Sequence, residues 1–409
     1  MIQARHITFN IQYGTYIKPL EEMITKKSRY KVNFGKGNYD TIAKKIAHFT
    51  SKYKYYTEAD HSVFDAHITV EMLSLTHKFY QACYYHNKEL RELSRQTLYN
   101  KCRTRQGDRY TCRGTRMSGD VDTSLGNSLI NYALIKEVLF KLGIEGDAIV
   151  NGDDSIIFTN KPLNIELATE YFSQLNMDTK LSLSTTNIHT VQYCQTKFVL
   201  RSDGTPTMMA DPKRMYQRFG MTHTLLNHEY YPHYLQELML CHSLTHTNTP
   251  LGYAWLAAFD RTRTIPLDRA YKLKWIDQEY YSAMEREILS TKSTAEYTQS
   301  MYQAYEHIDR YDDLIRNISI GYNYTDHHIY INHHTQTITT HNHKHVKIPV
   351  VPLRTRKARR IFNSPWYSEP IVDNILTIHI KTLMHSKERR DYRFHKEYHE
   401  QSITQYHTH

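Results

Sequence analysis

The stretch "RMSGDVDTSLGN", residues 116–127, decides how this chain is read. Gly119 frees the backbone ahead of a helix, and Ser118, Thr123 and Asn127 offer small hydrogen-bonding groups around its first turns. Thr123 reads as the N-cap. Leu125, Leu129, Tyr132, Leu139 and Leu142 then recur on or near one helical face, and Gly143 reads as the stop. Arg113 and Arg116 stand ahead of the helix as two guanidinium groups able to hold phosphate in bidentate fashion. A capped helix with a solvated basic lead-in accounts for the same residues taken alone, so a chemical reading needs partners elsewhere.

One partner is "NGDDSIIF", residues 151–158, where Asp153 and Asp154 sit between the apolar runs Ala148–Val150 and Ile156–Phe158. Asn-Gly between such runs is a hairpin signal, and two carboxylates on a rigid hairpin suit a divalent cation. The other is "EADHSVFDAHIT", residues 58–69, with Asp60 closing a strand-like segment and Asp65 opening a helical one. A strand-end carboxylate beside an acid-tipped hairpin gives two cations ligands on both sides. Such ions, about 3.5–4 Å apart, stabilise the attacking and leaving oxygens of a phosphoryl transfer. Singly, each acid also has a structural reading: a polar hairpin tip, a strand end, a helix N-terminal acid favoured by the dipole.

The whole chain bounds these readings. Its 409 residues suffice for two or three subdomains, with no secretory signal and no run of eighteen apolar residues. Lys and Arg number 52 against 42 Asp and Glu, an excess that fits a polyanion partner, most simply nucleic acid, and equally fits solubility. The five cysteines lack CxxC spacing and read as reduced thiols rather than a disulfide frame or zinc site. The 34 tyrosines suit base stacking or reflect the composition of the gene. Spacing of Ile68, Met72, Leu75, Phe79 and Ala82 predicts one helix from Asp65 to Cys83. Residues 85–112 read as a polar surface insertion, 164–175 as a helix, "KLSLS" and "VQYCQTKFVL" as strands, and the chain past 205 as mostly helical. This order suits an α+β layout, an antiparallel sheet backed by helices.

Taken together, the three blocks resemble motifs A, B and C of viral RNA-dependent RNA polymerases, nearest to the tombusvirus-like group of positive-strand RNA viruses. Motif A is matched by Asp60, Phe64, Asp65 and His67. Motif B is matched by Arg116, Ser118, Gly119, Asp120, Thr123, Gly126 and Asn127, and the GDD of motif C by Gly152, Asp153 and Asp154. Tyr193, Cys194 and Gln195 resemble motif E. Ile2, Gln3, Arg5, Asn10, Gly14, Tyr16, Lys18, Pro19 and Glu21 resemble the end of motif F, whose preceding arginine has no counterpart here.

The resemblance implies a right-hand polymerase fold, with an antiparallel palm sheet backed by helices and incomplete fingers. Residues 1–52 would be partial fingers, 53–84 palm, 85–112 a fingers insertion, 113–200 palm, and 201–409 thumb with a basic, histidine-rich C-terminal region. Two Mg²⁺ or Mn²⁺ ions on Asp60, Asp153 and Asp154 are the implied cofactors. Asp65, Ser118, Gly119, Thr123 and Asn127 are the implied nucleotide-binding residues, with Arg5 and Arg116 contacting phosphates and Lys180 as general acid. RNA template, nascent RNA and NTPs are the expected partners, with no DNA. An upstream replicase segment is expected to supply the missing fingers and an anchor to organelle membranes in the host cytoplasm. A catalytically incomplete fragment or RNA-binding subunit of a split replicase is the alternative, and a reverse transcriptase the rival enzyme. The histidine-rich residues 326–346 read as a polar thumb loop or a zinc site, and the basic runs at 354–360 and 386–396 as an RNA path or solvated tails.

Overall fold

The structure is a computed structural model and describes residues 5–104, 106–222, 231–259, 295–318, 320–323, 328–331, 336–339 and 369–384. The chain divides into two compact units, one of residues 1–35, 59–184 and 355–409, the other of 36–58 and 185–354. The element order begins α1 (Ile7–Lys26), α2 (Tyr39–Thr50), β1 (Tyr55–His61), α3 (Phe64–His67), α4 (Val70–Cys83), α5 (Lys88–Arg95), β2 (Tyr99–Arg103) and β3 (Arg109–Arg113). It continues with α6 (Thr123–Lys141), β4 (Gly146–Asn151), β5 (Asp154–Thr159), α7 (Ile165–Gln174), β6 (Thr179–Leu181), β7 (Gln192–Tyr193), β8 (Thr196–Leu200) and β9 (Pro206–Ala210).

In the first unit a four-stranded sheet runs β4-β5-β1-β6, with β4–β5 and β1–β6 antiparallel. The two apolar runs explain its centre. Ala148, Ile149 and Val150 of β4 and Ile156, Ile157 and Phe158 of β5 are all buried, as in strands covered on both faces. Helix α6 is apolar nearly all round and buried along most of its length, the pattern of a core helix rather than a surface one. Asn33–Gly35 runs beside β4, with Val150 N donating to Asn33 O and Gly35 N to Val150 O, both at 2.8 Å. Helix Glu369–Met384 also belongs here. Its Val372, Ile375, Leu376 and Ile380 lie at helical spacing and join the same apolar core, while Asp373 accepts from the Ser28 hydroxyl and from Arg29 N. This differs from the expectation of one C-terminal region over 201–409.

Three other expectations change. The helix expected from Asp65 to Cys83 is broken, because Ile68 is extended, its carbonyl accepts from Thr115 N, and Thr69 caps a new helix by accepting from Met72 N. Residues 85–112 do more than cover the surface, since Leu90 and Leu93 of α5 enter the main core. Thr123 is the first residue of α6, not its N-cap. Asp122 holds the cap position without capping, and the Thr123 hydroxyl donates to the Met117 and Asp120 carbonyls at 3.0 and 2.8 Å.

In the second unit, β7, β8 and β9 form an antiparallel sheet. Cys194 and Gln195 make its two-residue turn, both with positive φ (49° and 61°), as a type I′ hairpin requires. Asp40 of α2 accepts from Arg201 Nη2 and from the Thr207 hydroxyl, each at 2.7 Å. Helices Pro212–Arg218, Tyr231–Thr245 and Pro250–Ala258 follow, with Trp255 buried at the centre of their core. The chain past 205 is less purely helical than expected, for Ile320–Asn323, His328–Ile331 and Gln336–Thr339 form a three-stranded antiparallel sheet. The remainder of the histidine-rich stretch and both basic runs lie outside the described residues.

Candidate active site

The register pairs Asn151 with Asp154, which leaves Gly152 and Asp153 as a two-residue turn. Gly152 has a φ of +67°, the left-handed value that primed hairpin turns ask of their first central residue. Helix α6 grips this turn from behind. Ser128 Oγ accepts from Gly152 N at 2.8 Å, and Asn131 Nδ2 donates to the carbonyls of Gly152 and Asp153 at 3.0 and 3.1 Å. Asn131 Oδ1 lies 3.0 Å from His61 Nε2, and His61 Nδ1 lies 2.8 Å from Thr179 Oγ1. Burial lowers the pKa of His61, against the pull of its Asn131 bond and of the Asp153 and Asp60 charges. Sequence reasoning missed Ser128, Asn131 and His61. Asn127, Ser128 and Asn131 gather on one side of an otherwise apolar helix, and that spacing was the available signal.

A second set of buried polar groups forms the wall beside the turn. Asn127 Nδ2 donates to Asp65 Oδ1 at 2.7 Å, and Asn127 Oδ1 accepts from Arg116 Nε at 3.1 Å. Arg116 Nη1 stands 2.7 Å from Asp122 Oδ2, an ion pair in which both side chains are at most 1% exposed. The hydroxyls of Tyr13 and Tyr80 each reach the same carboxylate at 3.4 Å. Burial opposes the Arg116 charge, yet Asp122 and Tyr80 overcome it and hold the guanidinium above its ordinary pKa. Burial raises the pKa of Asp65, against the Asn127 bond and the Arg116 charge. Gly126 makes room for this arrangement, since a Cβ there would lie 2.2 Å from Arg116 Nη2.

Turn and wall face a cleft of about 850 Å³, lined among others by Asp65, Ser118, Thr123, Asn127, Gly152 and Asp153, with Arg116 behind and Lys18 at its side. The expected residues divide accordingly. Asp60, Asp154, Arg5, Gly119 and Lys180 do not line it. Asp60 is exposed on β1 directly across from Lys180 of β6, and Asp154 is exposed at the start of β5. Gly119 has no left-handed φ; those values fall at Gly114 and Thr115 (72° and 64°).

Both arginines expected at phosphates have partners within the protein. Arg116 is spent on Asp122 and Asn127 inside the core. Arg5 is held in a bidentate pair with Asp120, at 2.6 and 2.9 Å, and by Asn100 Oδ1 at 2.6 Å. Lys18, one of the motif F matches, lines the cleft as Arg116 does; its Nζ lies 2.9 Å from Glu21 and its side chain is half exposed.

The acids fit a divalent cation by donor type. Exposed carboxylate oxygens suit Mg²⁺ or Mn²⁺, Asp60 and Asp153 both act on the charge of His61, and the Asp153 charge acts on Asp65. Among the described residues they do not form a ready-made cluster of three ligands.

A family model described as "Viral RNA dependent RNA polymerase" matches residues 1–307. The RNA-directed RNA polymerase of Groundnut rosette virus (strain MC1) is 32% identical over 211 residues, covering 48% of this chain and 25% of that protein. That of Tomato bushy stunt virus (strain Cherry) is 31% identical over 212 residues, again 48% and 25%. That of Tobacco necrosis virus (strain A) is 30% identical over 223 residues, 51% and 30%. The matched stretch thus spans between a quarter and a third of these curated relatives.

Proposed function

Because the chain belongs to the viral RNA dependent RNA polymerase family, we propose that it carries out RNA-templated nucleotidyl transfer from NTPs to an RNA 3′ end in viral genome replication. The observation that carries this reading is the 2.7 Å bond between Asp65 and Asn127 in the same cleft as Asp153. An amide and a carboxylate locked together, with the Ser118 and Thr123 hydroxyls alongside, offer the donors and acceptors that read a ribose 2′-hydroxyl. Lys18 is the cation for the incoming triphosphate, in place of Arg5 and Arg116. Lys180, across from Asp60, is the proton donor to the leaving pyrophosphate.

Asp60, Asp153 and Asp154 would hold two Mg²⁺ or Mn²⁺ ions, which when bound supply charge stabilisation to phosphoryl transfer. The protein's own work is positioning: the Gly152–Asp153 turn is gripped from α6, and Asn127 is oriented by Arg116. In this reading the four-stranded sheet is the palm of a right-hand polymerase, β2–β3 belongs to the fingers, and helices past residue 205 to the thumb. RNA is bound partly by the exposed face of β2–β3, which carries Lys101, Arg103, Arg109 and Arg113 with Tyr99.

One observation favours a second reading, an RNA-binding subunit that does not synthesise: Arg5 is bound to Asp120 and Asn100 rather than lining the cleft. A primer-extension assay on an annealed RNA primer, with Mg²⁺ or Mn²⁺, separates the two. Extension by the wild type that Asp153→Ala abolishes while RNA binding persists supports the polymerase. Binding without extension by the wild type supports the subunit.

A further inference from the structure

We infer that Asn131 and His61 are positioning residues for the Gly152–Asp153 turn, forming a buried relay that sets where Asp153 stands relative to Asp60. The inference rests on the nucleotidyl-transfer reading of this cleft and adds to it two residues that line no part of the cleft.

Donor and acceptor bookkeeping fixes the relay's direction. The two N–H groups of Asn131 Nδ2 serve the carbonyls of Gly152 and Asp153. The opposite amide orientation would set Oδ1 against two carbonyl oxygens, so Oδ1 must be the atom that faces His61. His61 Nε2 therefore donates, and in the neutral ring Nδ1 accepts from the Thr179 hydroxyl. The chain of bonds runs from Thr179 on β6, through His61 on β1 and Asn131 on α6, to the turn between β4 and β5. It links the strand that carries Asp60 to the turn that carries Asp153.

Two features argue for positioning over simple pairing. Asn131 is fully buried and His61 is 3% exposed, so neither touches substrate, and two polar groups in an apolar core are costly unless fully bonded. Gly152 is half-buried and Asp153 exposed, and the carbonyls of both turn inward to the one buried amide. Two bonds from one buried side chain tie the turn to α6 at two successive carbonyls and so hold it in one place. His61 also packs against Phe64 and Phe172, at ring separations of 5.2 and 5.4 Å, which limits its rotation.

The test compares Asn131→Leu, His61→Leu and His61→Gln, the last keeping one donor and one acceptor. Mn²⁺ binding is measured by titration calorimetry without RNA or NTP, and kcat and the NTP KM by primer extension. Outer-shell support of metal ligands is worth roughly 10–100-fold in affinity or rate. The expected result is therefore Mn²⁺ binding and kcat both weakened at least about tenfold in Asn131→Leu and His61→Leu, with the NTP KM little changed and His61→Gln close to wild type. Folded Asn131→Leu with wild-type Mn²⁺ affinity and kcat overturns the inference, as does His61→Gln failing as badly as His61→Leu. Should Asn131→Leu not fold, the two His61 variants decide. If the wild type makes no RNA, the polymerase reading fails, and the relay is still judged by whether these variants change the Mn²⁺ binding that Asp153→Ala removes.

Discussion

The exposed acids of the first unit and its buried polar groups are held in opposite ways. Asp60, Asp153 and Asp154 are exposed, and it is the backbone around them that is pinned. Arg116, Asp122 and Asn131 are almost wholly buried, and their side chains make the bonds. A charge left in water contributes little to stability. A charge in the core is committed to its partners, and removing one leaves the other stranded. Substitutions in the two regions should therefore differ in kind: loss of function with the fold intact in the first, loss of both in the second.

The largest effect tests the buried side. Arg116→Met should destabilise the protein by about 3–5 kcal/mol, because Asp122 is left charged and unpaired in the core. Chemical denaturation measures this. Arg116→Met combined with Asp122→Leu should recover much of the stability, since an apolar pair of similar volume is often neutral. Choice between NTPs and dNTPs should not recover, because Asn127 Oδ1 has lost the donor that turns its amide toward Asp65. A double variant with wild-type discrimination would break the link between wall and specificity.

Acid should act on the buried side as well. Burial lowers His77 and His246 to about 4, one in each unit, against an ordinary 6.5. The unfolded chain takes up these protons first, so stability is complete above about pH 6.5 and falls as pH drops toward 4, by as much as about 3 kcal/mol for each histidine. Asp65 and Asp120, raised by burial, work the other way once pH approaches the carboxylate range, which trims the loss. Denaturation midpoints across this window in wild type and in His77→Gln check the sign: the variant should lose less on acidification.

A smaller effect concerns the contact where wall meets cleft. Asn127→Ala removes both the bond to Asp65 and the acceptor for Arg116. Preference for ribonucleotides over deoxyribonucleotides should drop by about tenfold or more, the worth of one or two hydrogen bonds. Competition between NTP and dNTP in primer extension measures it.

What could be read in the sequence follows the same division. The acid-tipped hairpin, the helix behind it and the order of the three blocks were legible, because each rests on residues adjacent in the chain. Arg116 was expected at phosphates although Asp122 and Asn127 stand in the same stretch, because no local pattern announces that Tyr13 of α1 and Tyr80 of α4 close over Asp122 and bury the pair. The pairing of Arg5 was not legible, since Asp120 lies 115 residues away. Asn131 had a signal in its spacing, but its bonds to Gly152 and Asp153 depend on how the helix docks on the sheet. Exposed chemistry is written locally, whereas buried polar chemistry is written in the packing.

The smallest expected effect is also the cleanest contrast. On β2–β3, Arg103 lies directly opposite Arg109, and Lys101 and Arg113 share their exposed face. Like charges facing each other across two strands destabilise a hairpin, and among the described residues none of these four cations has a carboxylate partner in an ion pair. The back of the hairpin is anchored instead, where Asn100 is buried and bonded to Arg5. Replacing Arg103 and Arg109 with glutamine should leave the melting temperature unchanged or slightly higher, because it relieves repulsion. The same change should reduce the slope of log affinity for single-stranded RNA against log salt by about 0.7 for each charge that touches phosphate. Filter binding at several salt concentrations measures the slope. A fall in stability with an unchanged slope would put these arginines with the buried frame and erase the distinction.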